Sequence, residues 1–322
     1  MCHFLSVPLR PKQLRMEKNN TVSIFQKPAW VVVFALTAAV AWGWAYPLIK
    51  LGFEEFAIMQ DMTGSKMLFA GIRFALSGLI VLAFAHSTHR SLKVSGIGGW
   101  LYVLTFSLMN TTLHYACFYI GLSHSAGARA AVFNSLGVFM LVLLACAFFK
   151  TDRLTARKAA GCAVGVAGVV VLNLGGGDSG QFTLLGDGMI ILNALCSAVA
   201  GLMTRGLGRY TDVFVGTGYS LAVGGVLLIV PGLLMEGALP QVTGAGMLIL
   251  LLLIAISTIG FTLYNKLLSC NPVGKVAIFN SLIPVVGAIT SCLCLHEPFY
   301  LKYVLAVLLS AGGIYIINRG KK

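Results

Sequence analysis

Long apolar segments recur along almost the whole chain, and they constrain the fold more than any other feature of the sequence. Glycine, proline and charged residues divide them into ten segments, at 29–51, 67–86, 99–121, 126–148, 157–175, 185–204, 213–235, 244–265, 275–295 and 299–318. A helix that crosses the hydrocarbon core of a bilayer needs about 20 apolar residues, and it satisfies its own backbone hydrogen bonds there. The sequence therefore predicts an all-α integral membrane protein with ten transmembrane helices.

The composition argues against a water-soluble domain, because 58% of the 322 residues are hydrophobic and only 10% are charged. The eight cysteines show no paired spacing of the kind that binds zinc. No predicted span combines carboxylates, a metal-binding cluster, or a nucleophile with a base. We therefore predict that the protein is not an enzyme and uses neither a metal nor another cofactor.

The net charge of +13 is better explained by membrane topology than by nucleic-acid binding, because the basic residues are dispersed among short loops. If the N-terminus is cytoplasmic, every inner segment is basic, and acidic residues such as Glu236 and Glu297 lie on the outer side. We predict a multi-pass protein of the cell (inner or plasma) membrane with both termini in the cytoplasm. Residues 1–28 form a cytoplasmic tail in this prediction.

An internal repeat divides the chain into two halves. With a shift of 146, residues 122–136 align with 268–282 and share the sequence Phe-Asn-Ser-Leu; with a shift of 145, residues 168–175 align with 313–320. We place the first repeat at 29–175 and the second at 185–320. Since each contains five predicted spans, an odd number, the two five-helix repeats are inverted in the membrane. Inverted repeats are typical of secondary transporters, which bind their substrate near the midplane where the repeats meet.

Several short motifs resemble those of a known family. They are Trp-Gly-Trp-Ala-Tyr-Pro at 42–47, Gly-Ile-Arg-Phe at 71–74, Leu-Thr-Ala-Arg-Lys at 154–158, and Pro284 followed by His-Glu-Pro at 296–298. On these residues the chain resembles the drug/metabolite transporter superfamily, in particular its ten-span EamA-like members, over roughly residues 29–320. The resemblance implies efflux of metabolites or drugs without fixing a substrate.

Two asparagines related by the repeat are the first candidates for a substrate site. Asn134 lies about nine residues inside its span, and at about 1.5 Å per residue this is close to half the hydrocarbon thickness. Asn280 reaches a similar depth from the other face. We predict that both amides, with Ser135 and Ser281, bind a polar solute; hydrogen bonding between helices is an equally supported alternative. Pro284 cannot donate to the carbonyl of Asn280 and predicts a break in the helix there.

A second group of candidates lies on the third span. Asn110 and His114 are four residues apart and share one face of a helix, with Tyr115 beside them. An ionisable side chain inside the membrane is a functional hypothesis by default. The alternative, which we favour for His114, is a neutral imidazole bonded to Asn110 or to a carbonyl. The remaining candidates for the wall of a cavity are Trp42, Asn193 and Tyr264. For Tyr46 and Tyr119, a place in the cavity wall and anchoring at the membrane interface are both open.

Other residues are predicted to be structural or to act in gating. Arg73 lies about two turns inside its span and needs an anionic or carbonyl partner there; we favour a structural role over binding of a carboxylate. Pro284 and Glu297 belong to the same group. Gly161 and Gly165 form a GxxxG motif that allows close helix packing, either within the fold or between two copies in a homodimer.

These observations predict a secondary transporter that exports small amino acid-like or drug-like solutes by alternating access. Its predicted partners are a small-molecule substrate and the lipid bilayer, without nucleic acid. The alternative is a non-transporting membrane scaffold or lipid-interacting protein, in which the buried polar residues only join helices. An open channel is disfavoured, because the sequence has no ring of like charges and no carbonyl-filter motif.

Overall fold

Helices make up nearly all of the regular structure in the described part of the chain. The computed structural model describes residues 23–148, 154–171, 181–271, 276, 278–298 and 300–318, without the side chains at 278, 281 and 318. Within these ranges no β-strand occurs. Most of the predicted N-terminal tail, up to residue 22, lies outside the described residues.

The α-helices are named here in chain order. They are α1 (Pro28–Glu55), α2 (Thr63–Ser87), α3 (Gly96–Ser107), α4 (Leu113–Ser123), α5 (Gly127–Asn134), α6 (Leu136–Phe148), α7 (Ala156–Val171), α8 (Met189–Leu207), α9 (Val213–Leu234), α10 (Gly244–Cys270), α11 (Leu282–Cys294) and α12 (Leu301–Asn318).

Several of the predicted spans are interrupted by a change of helix type. A π-helical turn, Leu108–Thr112, joins α3 to α4, and a second one, Leu184–Gly188, leads into α8. Ser135 alone separates α5 from α6, and a 3-10 turn, Ile278–Ser281, precedes α11. Pro284 consequently falls in the first turn of α11, where a missing N–H leaves no helical hydrogen bond unmade. Three of these four interruptions coincide with Asn110, Asn134 and Asn280.

Six helical segments are long and apolar enough to cross a membrane: Pro28–Glu55, Thr63–Ser87, Gly127–Phe148, Leu184–Leu207, Val213–Leu234 and Gly244–Cys270. Leu282–Cys294 and Leu301–Ile317 are shorter apolar helices. Large apolar side chains such as Leu79 and Leu248 are more than half exposed, as expected for a surface whose solvent is lipid. The chain is thus an all-helical, multi-pass membrane protein.

Glycines allow two helix pairs to approach unusually closely. In the α2–α9 pair, a Cβ at Gly78 would lie 2.1 Å from the backbone nitrogen of Ala222, and a Cβ at Gly225 would lie 2.3 Å from that of Ala75. In the α7–α12 pair, a Cβ at Gly161 would lie 2.6 Å from the carbonyl oxygen of Gly313. Only hydrogen fits at these crossings. Gly161 of the GxxxG motif is therefore used in packing within the chain.

The remaining helices surround the centre of the bundle. Helix α1 packs against α10 and α11, α8 packs against α4 and α6, and α5 packs against α11. Their buried side chains form one large apolar core. The polar exceptions within it mark the candidate site.

Candidate functional site

A cavity of about 110 Å³ lies at the centre of the bundle. Helices α1, α4, α5, α6, α8, α10 and α11 contribute to its wall, together with the turns that carry Asn110 and Asn280. Its lining consists of Trp42, Ala45, Tyr46, Asn110, His114, Tyr115, Phe118, Ala131, Asn134, Ser135, Gly137, Val138, Leu141, Ser197, Ala198, Gly201, Phe261, Tyr264, Asn265, Leu268, Asn280, Ile283 and Pro284. An apolar cavity with a few converging polar groups is the usual form of a small-molecule site.

Asn134 connects two helices at the point where its own helix ends. Its Nδ2 donates to the hydroxyl of Tyr46 on α1 at 2.8 Å, and its Oδ1 accepts from Nδ2 of Asn193 on α8 at 2.7 Å. Asn193 is fully buried and lies behind Asn134 rather than on the cavity wall. Ser135 lines the cavity and donates to the carbonyl of Val132 at 2.6 Å.

Asn280 lies on the same cavity, in the 3-10 turn before α11. Its Nδ2 donates to the hydroxyl of Tyr264 at 2.7 Å, so each of the two repeat-related asparagines donates to a tyrosine on the cavity wall. Hydrogen bonds to the tyrosines fix the orientation of both amides, while their cavity-lining positions keep them within reach of a solute. The side chain of Ser281 lies outside the described residues.

Asn110 and His114 both line the cavity but do not bond to each other. Nδ2 of Asn110 donates to the hydroxyl of Ser220 on α9 at 3.0 Å. The His114 ring stacks on Tyr115, with ring centroids 4.4 Å apart and planes 3° apart. Nδ1 of His114 is buried and has no hydrogen-bond partner among the described residues. A neutral His114 was predicted to bond to Asn110 or to a carbonyl, and Nδ1 has neither partner among the described residues.

Aromatic rings make up much of the cavity wall. Trp42 meets Tyr264 edge to face, with centroids 5.0 Å apart, and Tyr46 meets Phe118 in the same way at 5.3 Å. Tyr46 and Tyr119 are 1% and 0% exposed, which argues against the alternative of interfacial anchors, and Tyr46 lines the cavity. Both have hydrogen-bonding partners within the bundle, which explains why their hydroxyls do not need to reach water.

Arg73 is buried between α2, α4 and α10 and does not line the cavity. Its Nε donates to the carbonyl of Leu253 at 3.1 Å and to the hydroxyl of Ser257 at 2.7 Å, and an Nη donates to Tyr119 at 3.0 Å. The sequence predicted an anionic or carbonyl partner for Arg73. The carbonyl of Leu253 on α10 is that partner.

Glu297 joins the two halves of the chain at one end of the bundle. Its carboxylate accepts from Nζ of Lys50 at 2.9 Å and from the backbone nitrogens of Gly127 and Ala128, at 2.8 and 3.2 Å. The two backbone donors are the first residues of α5, where the helix dipole favours a negative charge. Pro284 is buried beside the cavity, on the helix that precedes Glu297.

A second ion pair at this end was missed by the sequence analysis. Arg129 on α5 and Asp187 in the turn before α8 form a bidentate pair with both distances at 2.8 Å, and their side chains are 5% and 2% exposed. Asp187 lies at the start of a predicted span, so its position gave no reason to treat it as an intramembrane charge. Its partner is 58 residues away in sequence, and only the fold brings them together.

Comparison with known proteins gives consistent matches over nearly the whole chain. The model of the EamA-like transporter family matches residues 29–174 and again residues 184–319. The uncharacterized transporter YvbV of Bacillus subtilis is 26% identical over 287 residues, which are 88% of this chain and 90% of that protein. A probable amino-acid metabolite efflux pump of Salmonella typhimurium is 26% identical over 293 residues, 88% of this chain and 92% of the pump.

One solved crystal structure superimposes with a TM-score of 0.67 and covers 91% of this chain and 98% of the other. The sequences are 17% identical, so this likeness concerns the fold alone.

Proposed function

The chain belongs to the EamA-like transporter family, and from this premise we propose that it exports small amino acid-like or drug-like metabolites by alternating access. Family membership makes it a membrane transporter and not an enzyme. The observation that carries the proposal is the central cavity, to which Asn134 and Asn280 both contribute. One comes from each proposed half of the chain.

The proposed architecture is ten transmembrane helices in two inverted repeats, at 29–175 and 185–320. The family model supports it by matching the chain twice. The helix packing supports it as well. When each span of one half is exchanged for the corresponding span of the other half, every principal contact becomes either another principal contact or itself. The α1–α10 contact corresponds to α4–α8, the α1–α11 contact to α6–α8, and the α2–α9, α7–α12 and α5–α11 contacts to themselves.

Individual side chains follow the same correspondence. Arg73 of α2 and Ser220 of α9 are 147 residues apart, and Ser257 of α10 and Thr111 are 146 apart. Arg73 donates to Ser257 at 2.7 Å, while the hydroxyls of Ser220 and Thr111 lie 3.3 Å from each other. Equivalent positions therefore make equivalent contacts between the second span of one half and the third span of the other.

We place the protein in the inner or plasma membrane with both termini in the cytoplasm, as the distribution of basic residues favours. In this orientation the ion pairs of Glu297 and Asp187 lie at the outer end of the bundle. Both pairs connect the two proposed halves. The cavity lining continues in the opposite direction, from Asn134 to Leu141 on α6. We therefore interpret the structure as closed on the outside, and outward release requires both ion pairs to separate.

The substrate class is proposed from the cavity and the relatives together. Amides, tyrosine hydroxyls and aromatic rings offer hydrogen bonds and apolar contacts to a small amphipathic solute. The Salmonella relative carries the name of a probable amino-acid metabolite efflux pump. Amino acids are accordingly the first compounds to test. The proposed partners are such a solute and the lipid bilayer, without nucleic acid.

The decisive experiment measures transport by the purified protein in proteoliposomes, with a panel of radiolabelled amino acids and amines. We expect uptake or exchange of at least one compound, and loss of most of it in Asn134→Ala and Asn280→Ala. Asn271→Ala is a matched control, because Asn271 bonds to the carbonyls of Phe25 and Leu267 and does not line the cavity. A folded protein that moves no member of the panel contradicts the proposal.

A further inference from the structure

The cavity wall contains no full charge. Among the described residues that line it, none is Asp, Glu, Lys or Arg. A solute with a net charge therefore meets no counter-ion in the wall itself, and leaving a charge uncompensated in a water-poor site is costly. Discrimination between cations and anions must then come from charges that lie behind the wall.

Arg73 is a buried charge directly behind the wall, and its partners do not neutralise it. Its three hydrogen bonds go to a carbonyl, a serine hydroxyl and a tyrosine hydroxyl, and the side chain is 1% exposed. No carboxylate lies within salt-bridge distance of it in the described part of the chain. Its positive charge therefore remains unscreened both by water and by a counter-ion.

Only a layer of aromatic rings separates this charge from the cavity. The guanidinium carbon lies 4.8 Å from the centroid of Phe74 and 5.8 Å from that of Tyr115. The two rings are packed at 4.0 Å, and Tyr115 lines the cavity. Aromatic rings of this kind are weakly polarisable compared with water, so the field of the guanidinium extends into the cavity.

The other deeply buried cations are compensated elsewhere. Arg129 forms a bidentate pair with Asp187. Lys66 lies in the first turn of α2, where it donates to the carbonyl of Gln60 and interacts electrostatically with Asp61. Neither residue lines the cavity. Arg73 thus differs from these two cations: it has no counter-ion among the described residues, and it contacts the ring of a cavity-lining residue, Tyr115.

Two residues of the wall also carry a polar atom without a partner. Nε1 of Trp42 and Nδ1 of His114 are buried without a hydrogen-bond partner among the described residues. The indole N–H can only donate, and a neutral imidazole can donate from one ring nitrogen. A carboxylate oxygen is a strong acceptor for such groups.

We propose that Arg73 is a specificity-determining residue, whose charge makes the cavity select solutes that carry a carboxylate and reject cationic amines. This inference rests on the proposed transport function, because it assumes that the cavity binds the solute. At about 10 Å and an effective dielectric constant of about 20, two unit charges change an equilibrium constant roughly tenfold. The preference for a carboxylate over an amine of the same shape should therefore be at least about tenfold.

The test compares ligands that share a side chain and differ in the charged groups they carry. Three sets share the side chains of alanine, leucine and phenylalanine: the amino acid, the acid without its amino group (propanoate, 4-methylpentanoate, 3-phenylpropanoate), and the amine without its carboxylate (ethylamine, 3-methylbutylamine, 2-phenylethylamine). The dissociation constant of each compound is obtained from ligand-induced thermal stabilisation of the purified protein. We expect the acid or the amino acid to bind at least about tenfold more tightly than the amine in each set that binds.

Ser257 allows the charge of Arg73 to be neutralised in place. Its hydroxyl accepts from Nε of Arg73 at 2.7 Å, so the carboxylate of Ser257→Asp would face the guanidinium directly. Ser257→Asn has nearly the same shape without the charge and is the matched control. We expect the preference for carboxylates to fall about tenfold in Ser257→Asp and to persist in Ser257→Asn. Arg73→Lys, which retains the positive charge, should also keep the preference.

Each outcome decides the inference. It is overturned if amines bind as tightly as acids in the unmodified protein, which requires no variant to fold, or if Ser257→Asp leaves the preference unchanged. Absence of binding by all nine compounds overturns it as well. In that case, transport of other compounds in proteoliposomes would leave the proposed function standing, whereas absence of all transport would remove both.

Discussion

At the scale of single residues, Arg129 and Asp187 form the most buried of the ion pairs between described residues. Their side chains are 5% and 2% exposed, so water cannot replace either partner. Removing one member of a buried pair typically costs about 3–5 kcal/mol, because a charge is left without its counter-ion. We expect Asp187→Asn to lower the free energy of unfolding by this amount, measured by thermal or denaturant unfolding in one detergent.

The control is Asp212→Asn, which breaks an ion pair of similar length at a wetter position. Arg90 and Asp212 are 2.8 Å apart, with side chains 33% and 30% exposed. Pairs of this kind contribute at most about 1 kcal/mol. Asparagine also keeps the N-cap hydrogen bond that Asp212 accepts from Phe214. Equal destabilisation by the two variants would contradict the importance assigned to Asp187.

Several of the residues that meet at the cavity were identified from the sequence, but the direction of a side chain was not always readable. Counting residues from the end of an apolar segment located Asn134, Asn280, His114 and Trp42, and the structure brings all four to one cavity. Their role in binding stays a prediction. The two alternatives for Tyr46 stayed open because a helix that is apolar on every side gives no periodicity to show which face is buried.

At the scale of helices, the crossing of α2 and α9 depends on glycine. A Cβ at Gly78 would lie 2.1 Å from the backbone nitrogen of Ala222, so Gly78→Ala must push the two helices apart. In lipid the hydrophobic effect does not drive helices together, so van der Waals packing over this interface must stabilise the pair. We expect Gly78→Ala to lower the free energy of unfolding by about 2 kcal/mol or more, in the range of overpacked cores.

Gly98 provides the matched substitution. No atom lies within 4 Å of a Cβ built on it, and it belongs to α3. Alanine exceeds glycine in helix propensity by about 1 kcal/mol, so Gly98→Ala should leave stability unchanged or raise it slightly. If both variants behave alike in the same unfolding assay, the close approach of α2 and α9 does not limit stability.

The interruptions of the helices were only partly predictable. Pro284 pointed to a break near Asn280, and the 3-10 turn Ile278–Ser281 lies there. The π-helical turn Leu108–Thr112 has no proline or glycine to announce it. It is held by contacts that are distant in sequence, since Asn110 bonds to Ser220 and Thr112 donates to the carbonyl of Gly224. Tertiary hydrogen bonds of this kind leave no local signal.

At the scale of the whole molecule, Glu297 holds together the end of the bundle that we propose is the outer one. It accepts hydrogen bonds from Lys50 and from two backbone nitrogens at the start of α5, so it bridges helices α1 and α5 to the segment after α11. Glu297→Gln keeps the size of the side chain but removes the charge that attracts both Lys50 and the helix dipole. If this contact closes the outer end, its weakening must shift the protein towards an outward-open state.

A cysteine at Ser291 can report the shift. Ser291 is fully buried beneath this contact, with its hydroxyl 2.5 Å from the place of a Cβ at Gly127. In a background without the native cysteines, we expect Ser291→Cys to react slowly with a membrane-impermeant maleimide added to intact cells. Glu297→Gln should accelerate the labelling about tenfold or more. Glu236→Gln, which alters an exposed acid that the same orientation places outside, should not.

The side from which the reagent acts tests the orientation at the same time. If labelling increases only in inside-out vesicles, the two ion pairs close the cytoplasmic end and the proposed topology is reversed, although the closing role of Glu297 remains. If Glu297→Gln leaves the rate unchanged from both sides, the contact is a static support for α5. Alternating access would then have to break other contacts between the halves, such as the ion pairs of Arg129 with Asp187 and of Arg90 with Asp212.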